Sequence, residues 1–391
     1  MLKKKLLSLL ALLGFVSILL AGNIKVKVYN PGTKAVFPIT STIIYGDKEA
    51  MLVDAQFQKQ YAEELVKEIK ATGKNLKTVF ISHSDPDFYF GLDVIKKAFP
   101  NVKIISTAQT AYLISASKDD KLAVWKPQLK ADAPSEIIVP EAVNAIPDLE
   151  GNKIEIRQNP EDPAHSFVWI PSIKTITGGI SVSADSHLWM ADTQNTKAID
   201  QWIAQIDAMK ALKPEQVIPS HFAKQSFSPQ SLDFVKNYLE NYKKAVTENT
   251  TTPAIVDFMV KKYPTLSGKD ELEMGVKVFR GEMDWDLKSP YPAIGRKVEV
   301  DFGAVKFLLD FKDNKTMTFT GTAGSSKDST DTVEYTAVEV AKNIFMVYWH
   351  EPHLGFNVTH IQDYNKNMVY SNIAGSDGTF THPKGTLKIL K

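Results

Sequence analysis

The sequence predicts an α/β layered domain followed by a small antiparallel β-barrel, and two changes of texture carry that prediction. From Ile24 to about Ile218, short β-rich runs alternate with stretches of helical apolar spacing, as in a layered α/β domain. After about Gly295 the helical period disappears, and seven or eight short strands follow, joined by Asp-Asn, Gly-Ser and Asn-Lys-Asn turns. The length of 391 residues agrees, because a single hydrophobic core seldom grows beyond ~250 to 300 residues.

Within the first region, residues 42–45, 51–53, 78–81, 103–106 and 167–170 read as strands. Residues 57–71 and 197–212 read as helices; in the second, Ile199, Trp202, Ile203, Ile206 and Met209 fall on one helical face. A further helix is expected over 228–247. Pro253, Pro264, Pro290 and Pro292 then surround one amphipathic helix, which makes residues 251–294 a helical linker between an α/β domain of 23–250 and a barrel of 295–391.

Lys3, Lys4 and Lys5 precede an apolar run from Leu6 to Ala21, and Gly22 and Asn23 open a polar segment. That layout is an export signal over residues 1–22, with the mature chain periplasmic or secreted. The run falls short of the ~20 residues that span a bilayer, so no membrane association is expected beyond the signal.

Composition narrows the function. An apolar fraction of 43% and a charged fraction of 23% exclude a largely disordered chain and a multi-pass membrane protein. Forty-six Lys plus Arg against 45 Asp plus Glu leave a net charge of +1, with no basic run past the first five residues, so nucleic acid is not an expected partner. A small molecule is. The absence of cysteine removes thiolate nucleophiles, iron–sulfur clusters and Cys-rich zinc sites. Any metal must be held by His and carboxylate.

Three of the eight histidines adjoin predicted strand ends: His83 after Val79-Phe80-Ile81, His165 before Phe167, and His221 after Val217-Ile218-Pro219. Such loops are where α/β sheets place ligand and metal sites. The segment Ile81-Ser82-His83-Ser84-Asp85-Pro86-Asp87-Phe88 sets one imidazole and two carboxylates within five residues. In an extended loop, positions 83, 85 and 87 point the same way and would meet one cation. The alternative is a turn in which Asp85 and Asp87 cap the next helix through its backbone N–H groups, with Asp87 well placed for it. His187 reads as a packed or pocket-lining residue. His350, His353 and His360 read as solvent-facing or internally satisfied strand residues, with a metal or ligand contact in the barrel as the alternative.

These motifs, in this order, resemble the metallo-β-lactamase superfamily over about residues 35–225. That family carries His-x-His-x-Asp-His on a loop after a strand, an early strand ending in Asp as in Leu52-Val53-Asp54, and a closing strand ending in His as in Val217-Ile218-Pro219-Ser220-His221. The resemblance implies a four-layer αββα sandwich. Three departures stand out: Asp85 replaces the second His, Phe88 replaces the His beside the Asp, and Gly179 replaces the Asp that bridges two metals. The resemblance therefore implies one zinc ion rather than two, held by His83, Asp85 and His165, with Asp192 as a substitute carboxylate or a helix cap. Iron or manganese would also suit two imidazoles and a carboxylate. Asp87 and His221 would orient or deprotonate the metal-bound water, which makes Asp87 the candidate catalytic base. The implied activity is an exported metal-dependent hydrolase of an ester, lactone, amide or phosphoester. The alternatives are a binding or scaffolding protein that kept the fold, or a small-ligand carrier centred on the barrel. Residues 295–391, with Val347-Tyr348-Trp349-His350-Glu351-Pro352, resemble the calycin-like barrel of the molybdenum cofactor biosynthesis F family.

Overall fold

The computed structural model describes residues 23–159 and 161–390, so the expected export signal of residues 1–22 lies outside the described residues. No helix among the described residues is long and apolar enough to cross a membrane.

The α/β domain is built on two sheets. The first orders β1 (Lys25–Tyr29), β2 (Ser41–Tyr45), β3 (Glu49–Val53), β4 (Asn75–Ile81), β5 (Lys103–Ser106) and β6 (Glu141–Ala142) side by side, antiparallel as far as β3 and parallel beyond it. Parallel neighbours need crossovers. These contain α1 (Lys59–Ala71), then α2 (Pro86–Tyr89) with α3 (Leu92–Ala98), then α4 (Ala108–Leu129). The second sheet orders β7 (Glu155–Asn159), β8 (Asp162–Ile170), β9 (Thr175–Thr177) and β10 (Gln216–Val217).

The period-two alternation of a strand sorts the core into layers. Ile43, Leu52, Val79 and Ile81 face outward onto Leu65, Ile69, Leu92 and Ile95 of the crossover helices. Their chain neighbours Ile44, Met51, Val53 and Phe80 face inward onto Val168 and Ile170 of β8. Phe167, Trp169 and Ile176 turn the other way, onto Ile199, Ile206 and Met209 of α5 (Thr196–Ala211) and Leu232 and Val235 of α6 (Gln230–Glu248). The result is helix, sheet, sheet, helix. Two helices, not one, fill the stretch that follows. Ile255, Val256 and Met259 of α7 (Thr252–Lys262) and Leu272 and Val276 of α8 (Lys269–Phe279) join the same outer core as α5 and α6.

Helix α4 escapes sequence reading for a physical reason. Ile114 packs toward the first sheet, while Tyr112 and Leu113 enter the core of the barrel, so its apolar residues form no single stripe.

The barrel strands are β11 (Lys297–Asp301), β12 (Lys306–Phe311), β13 (Thr316–Ala323), β14 (Thr330–Ala341), β15 (Ile344–Glu351), β16 (Phe356–Asp363), β17 (Met368–Gly375), β18 (Phe380–Thr381) and β19 (Lys384–Ile389). Each of β11 to β17 pairs with the next, β17 pairs with β19, and β19 pairs with β11. Eight strands thus close a ring, which leaves no exposed edge in it; β18 pairs only with β17. Inward-facing Val298, Val300, Phe311, Phe319, Phe345 and Val347 fill the ring.

Candidate functional site

The site begins where β4 ends. Both oxygens of the buried Asp54 accept from Ser82, Oδ1 from its N–H at 2.8 Å and Oδ2 from its hydroxyl at 2.7 Å. Burial pushes the Asp54 carboxyl up to about 8, against the Ser82 hydrogen bonds and with a smaller contribution from Asp87. Asp54 thereby fixes the loop that carries His83, Asp85 and Asp87.

One group of side chains gathers around His83. Its Nδ1 accepts the Asp85 backbone N–H at 3.2 Å, which places the ring hydrogen of a neutral imidazole on Nε2. Asp85 Oδ2 lies 3.4 Å from the same Nδ1. From α4, Lys121 Nζ donates to Asp85 Oδ1 at 3.2 Å and to the Ser84 carbonyl at 2.7 Å. Burial works to raise the Asp85 carboxyl, but the charges of His83 and Lys121 prevail and hold it well below the usual carboxylate range. His165, on β8, stacks on His83 with ring centroids 5.4 Å apart, and its Nδ1 meets Asp162 Oδ2 at 2.7 Å. Burial lowers the His165 pKa, yet Asp162, Asp192 and Asp85 together raise it above the ordinary value. Asp192 accepts an indole N–H on each oxygen, from Trp189 at 2.8 Å and Trp285 at 2.7 Å. Its carboxyl is raised by burial first and by the charge of Asp85 second.

A second group stands apart. His221 Nε2 meets Asp87 Oδ2 at 2.8 Å, and the buried Phe88 ring lies between this pair and the first group, 5.2 Å from the His83 ring and 5.9 Å from the His221 ring. Ser220 Oγ is 3.1 Å from His221 Nδ1 and donates to the Val182 carbonyl at 3.0 Å. The serine proton is thus committed to a backbone acceptor, and this Ser–His–Asp sequence of contacts is not an activated nucleophile.

As they sit, these residues do not fit a metal. Among the described residues, no three His, Asp or Glu side chains converge on a point that could hold an ion. The reasons are specific. Asp85 is bonded by an ammonium, Asp87 by His221, and Asp192 by two indoles. His83 carries its hydrogen on the nitrogen that is not engaged. Position 179 cannot supply the bridging carboxylate, since Gly179 has φ +75° and a Cβ there would lie 2.1 Å from the Ser166 carbonyl oxygen.

The structure therefore brings His83, Asp85, His165 and Asp192 together on one side of Phe88, and Asp87 with His221 on the other. Asp87 lies in the first turn of α2, where Asp85 holds the N-cap position without a side-chain capping bond. Asn195, not Asp192, caps α5, accepting from the Ala198 N–H at 2.9 Å. His187 is buried in the outer core, 2.9 Å from the Tyr238 hydroxyl. In the barrel, His350 bonds Asn357 at 3.0 Å and His353 bonds Asp331 at 2.8 Å, while His360 packs edge-on to Trp349. Sequence reasoning missed Lys121, Asp162 and Trp285. Only Asp162, three residues before a histidine on the same strand, offered a local signal.

Comparison with known proteins agrees with this architecture. Residues 35–221 match the metallo-beta-lactamase superfamily and residues 294–388 match the MoaF-like family. The chain is 25% identical over 105 residues to the uncharacterized protein YobT of Bacillus subtilis (strain 168), spanning 26% of this chain and 44% of that protein. Among solved structures it is similar to DIM-1 metallo-beta-lactamase, with 21% identity, 56% of this chain and 93% of that one covered, and a TM-score of 0.41. A metallo-beta-lactamase from Pontibacter korlensis shows 22% identity, the same coverages and a TM-score of 0.39. On these matches, residues 35–221 resemble the metallo-β-lactamase superfamily and residues 294–388 resemble the MoaF-like family.

Proposed function

We propose that the α/β domain is a small-molecule binding site on a hydrolase-type fold, in which His83, His165 and Lys121 meet an anionic or acceptor-rich group of the ligand. One observation carries this reading. Both imidazoles spend Nδ1 inside the protein, His83 on the Asp85 N–H and His165 on Asp162, and neither Nε2 has a protein partner among the described residues. His83 Nε2–H and the Lys121 ammonium then stand together as donors, and His165 Nε2, opposite an Nδ1–H held by Asp162, accepts when the ring is neutral and donates when it is protonated. Side-chain exposures of 32% for His165, 27% for Lys121 and 24% for Asp85 leave the cluster reachable from solvent. The test is thermal stability in the presence of simple carboxylates and phosphate esters, on the wild type and on His165→Ala. A ligand-dependent rise lost in the variant supports binding at this cluster; an equal rise in both contradicts it.

A second reading, hydrolysis with one zinc, iron or manganese ion, is favoured by the Asp162–His165 contact, since a carboxylate on Nδ1 is how many proteins orient a ligating imidazole. In it His83, Asp85 and His165 are the ligands, Asp192 a reserve carboxylate, and Asp87 the base beside His221. Near-stoichiometric metal in protein purified without added metal, lost in His83→Ala and accompanied by ester hydrolysis, would favour it over the first. We also propose export, resting on residues 1–22. A mature chain beginning near Gly22 or Asn23 in an envelope fraction supports this, and full-length protein in the cytosol contradicts it.

A further inference from the structure

We infer that the outer face of the barrel over β14 to β17 is a docking surface for a second copy of this chain, and that the protein forms a two-fold dimer through it. The inference does not depend on any ligand in the α/β domain. Along these strands the residues that alternate with the inward-facing core point to solvent. One outward row runs Val338, Met346, Ile361 and Tyr370, each paired with the next across neighbouring strands. None of the four belongs to the core that fills the ring. Val338 is 41% exposed and Tyr370 46%, with Met346 and Ile361 half-buried between them. Tyr348 on one side of the row and Val340 on the other are also exposed and widen the patch. Single exposed apolar side chains are ordinary, but a contiguous patch rimmed by polar groups marks a contact surface.

The occupant follows from the way this face matches its own reversed image. A two-fold interface requires that if one residue meets another, the second meets the first. Turning a copy about the row from Val338 to Tyr370 stacks that row on itself, as two sheets pack face to face ~10 Å apart, and exchanges the rows on either side. On β15, Tyr348 then lies against Ile344 of the second copy. On β14, Glu334, four residues before Val338, comes opposite Lys342 of the second copy, four residues after it. Lys342 Nζ rests on a neutral acceptor, the Leu287 carbonyl at 3.2 Å, so its charge is available to a carboxylate. Symmetry makes each of these contacts twice. At the far end of the row Lys384 pairs with Tyr370 across the strands and lies 5.2 Å over its ring, which leaves that charge at the rim, in water.

The experiment is sedimentation velocity with light scattering on the purified chain over about 1 to 100 µM, the range in which a modest interface dissociates. Wild type should be a dimer at the upper end. Met346→Glu places a carboxylate in the middle of the row and should give a monomer with unchanged circular dichroism. Val124→Glu, at a residue 68% exposed on α4, should leave the dimer intact. Tyr370→Glu is carried in parallel in case Met346→Glu does not fold. Glu334→Lys should weaken the dimer about tenfold, and adding Lys342→Glu should recover most of that loss. A wild type that stays monomeric at ~100 µM overturns the inference in favour of a different protein on this face. Folded Met346→Glu and Tyr370→Glu variants that stay dimeric overturn it too. A double charge variant no tighter than Glu334→Lys alone overturns the two-fold arrangement.

Discussion

Asp87 and His221, 134 residues apart in sequence, meet at 2.8 Å, and the Phe88 ring that follows Asp87 packs against His221 on one side and His83 on the other. One aromatic side chain therefore packs against both groups of polar residues. It is also structural, because Phe88 is fully buried in the core between the first sheet and its helices. Phe88→Ala should cost about 3 to 5 kcal/mol, the range for emptying a buried aromatic site. Urea unfolding followed by circular dichroism checks this; a loss under ~1 kcal/mol would show that the loop collapses into the gap.

Gly179 is held by two constraints at once, φ +75° and a Cβ direction that ends 2.1 Å from the Ser166 carbonyl oxygen. Its N–H also donates to Ser82 Oγ at 2.7 Å, which ties it to the loop after β4. Gly179→Ala should destabilise the chain by about 2 to 4 kcal/mol, through backbone strain and the displaced contact. A melting temperature within a degree of wild type would contradict this account of the position. Gly179→Asp should behave at least as badly, so the family's bridging carboxylate cannot be restored there by substitution alone.

Trp285 lies beyond α8, yet its indole N–H reaches Asp192 at 2.7 Å. Trp285→Phe removes one of the two donors to the half-buried Asp192 carboxylate and should cost roughly 1 to 3 kcal/mol. Chemical unfolding of Trp285→Phe beside Asp192→Asn tests the coupling. The two losses should add to more than that of the double variant, since both break the same contact.

His360 supplies a pH prediction. It is buried in the barrel beside Trp349, and burial pushes its pKa down to about 3. The unfolded imidazole, with a pKa near ~6.5, binds protons that the folded one refuses, so stability is complete above that value and falls as pH drops toward about 3. The loss should approach about 1.4 kcal/mol per pH unit within that window. His360→Phe should flatten the dependence; an unchanged slope between pH 6 and 4 would assign the effect to other groups.

Much of the fold was legible because its signals are local. The strands of 78–81 and 167–170 announce themselves by β-branched and aromatic runs, and the segment from His83 to Phe88 shows its polar spacing within six residues. What the sequence hid was relational. Lys121 is an ordinary lysine in a helix without an apolar stripe, and its partner Asp85 lies 36 positions away. Asp192 finds Trp285 across 93 positions. The same limit explains why His83, Asp85 and His165 read as a ligand set: the family resemblance grouped them, but only the neighbours show that Asp85 is already paired and that His83 carries its hydrogen toward the site.

On the function proposed above, these side chains serve hydrogen bonds within the protein and to a ligand, and do not hold a metal ion. The zinc, iron and manganese content of the wild-type chain purified without chelator, measured by elemental analysis against protein concentration, tests this directly. Each metal should fall well below one per chain, with a melting temperature unmoved by EDTA. Near-stoichiometric metal, with a melting temperature that falls on chelation, would contradict the account.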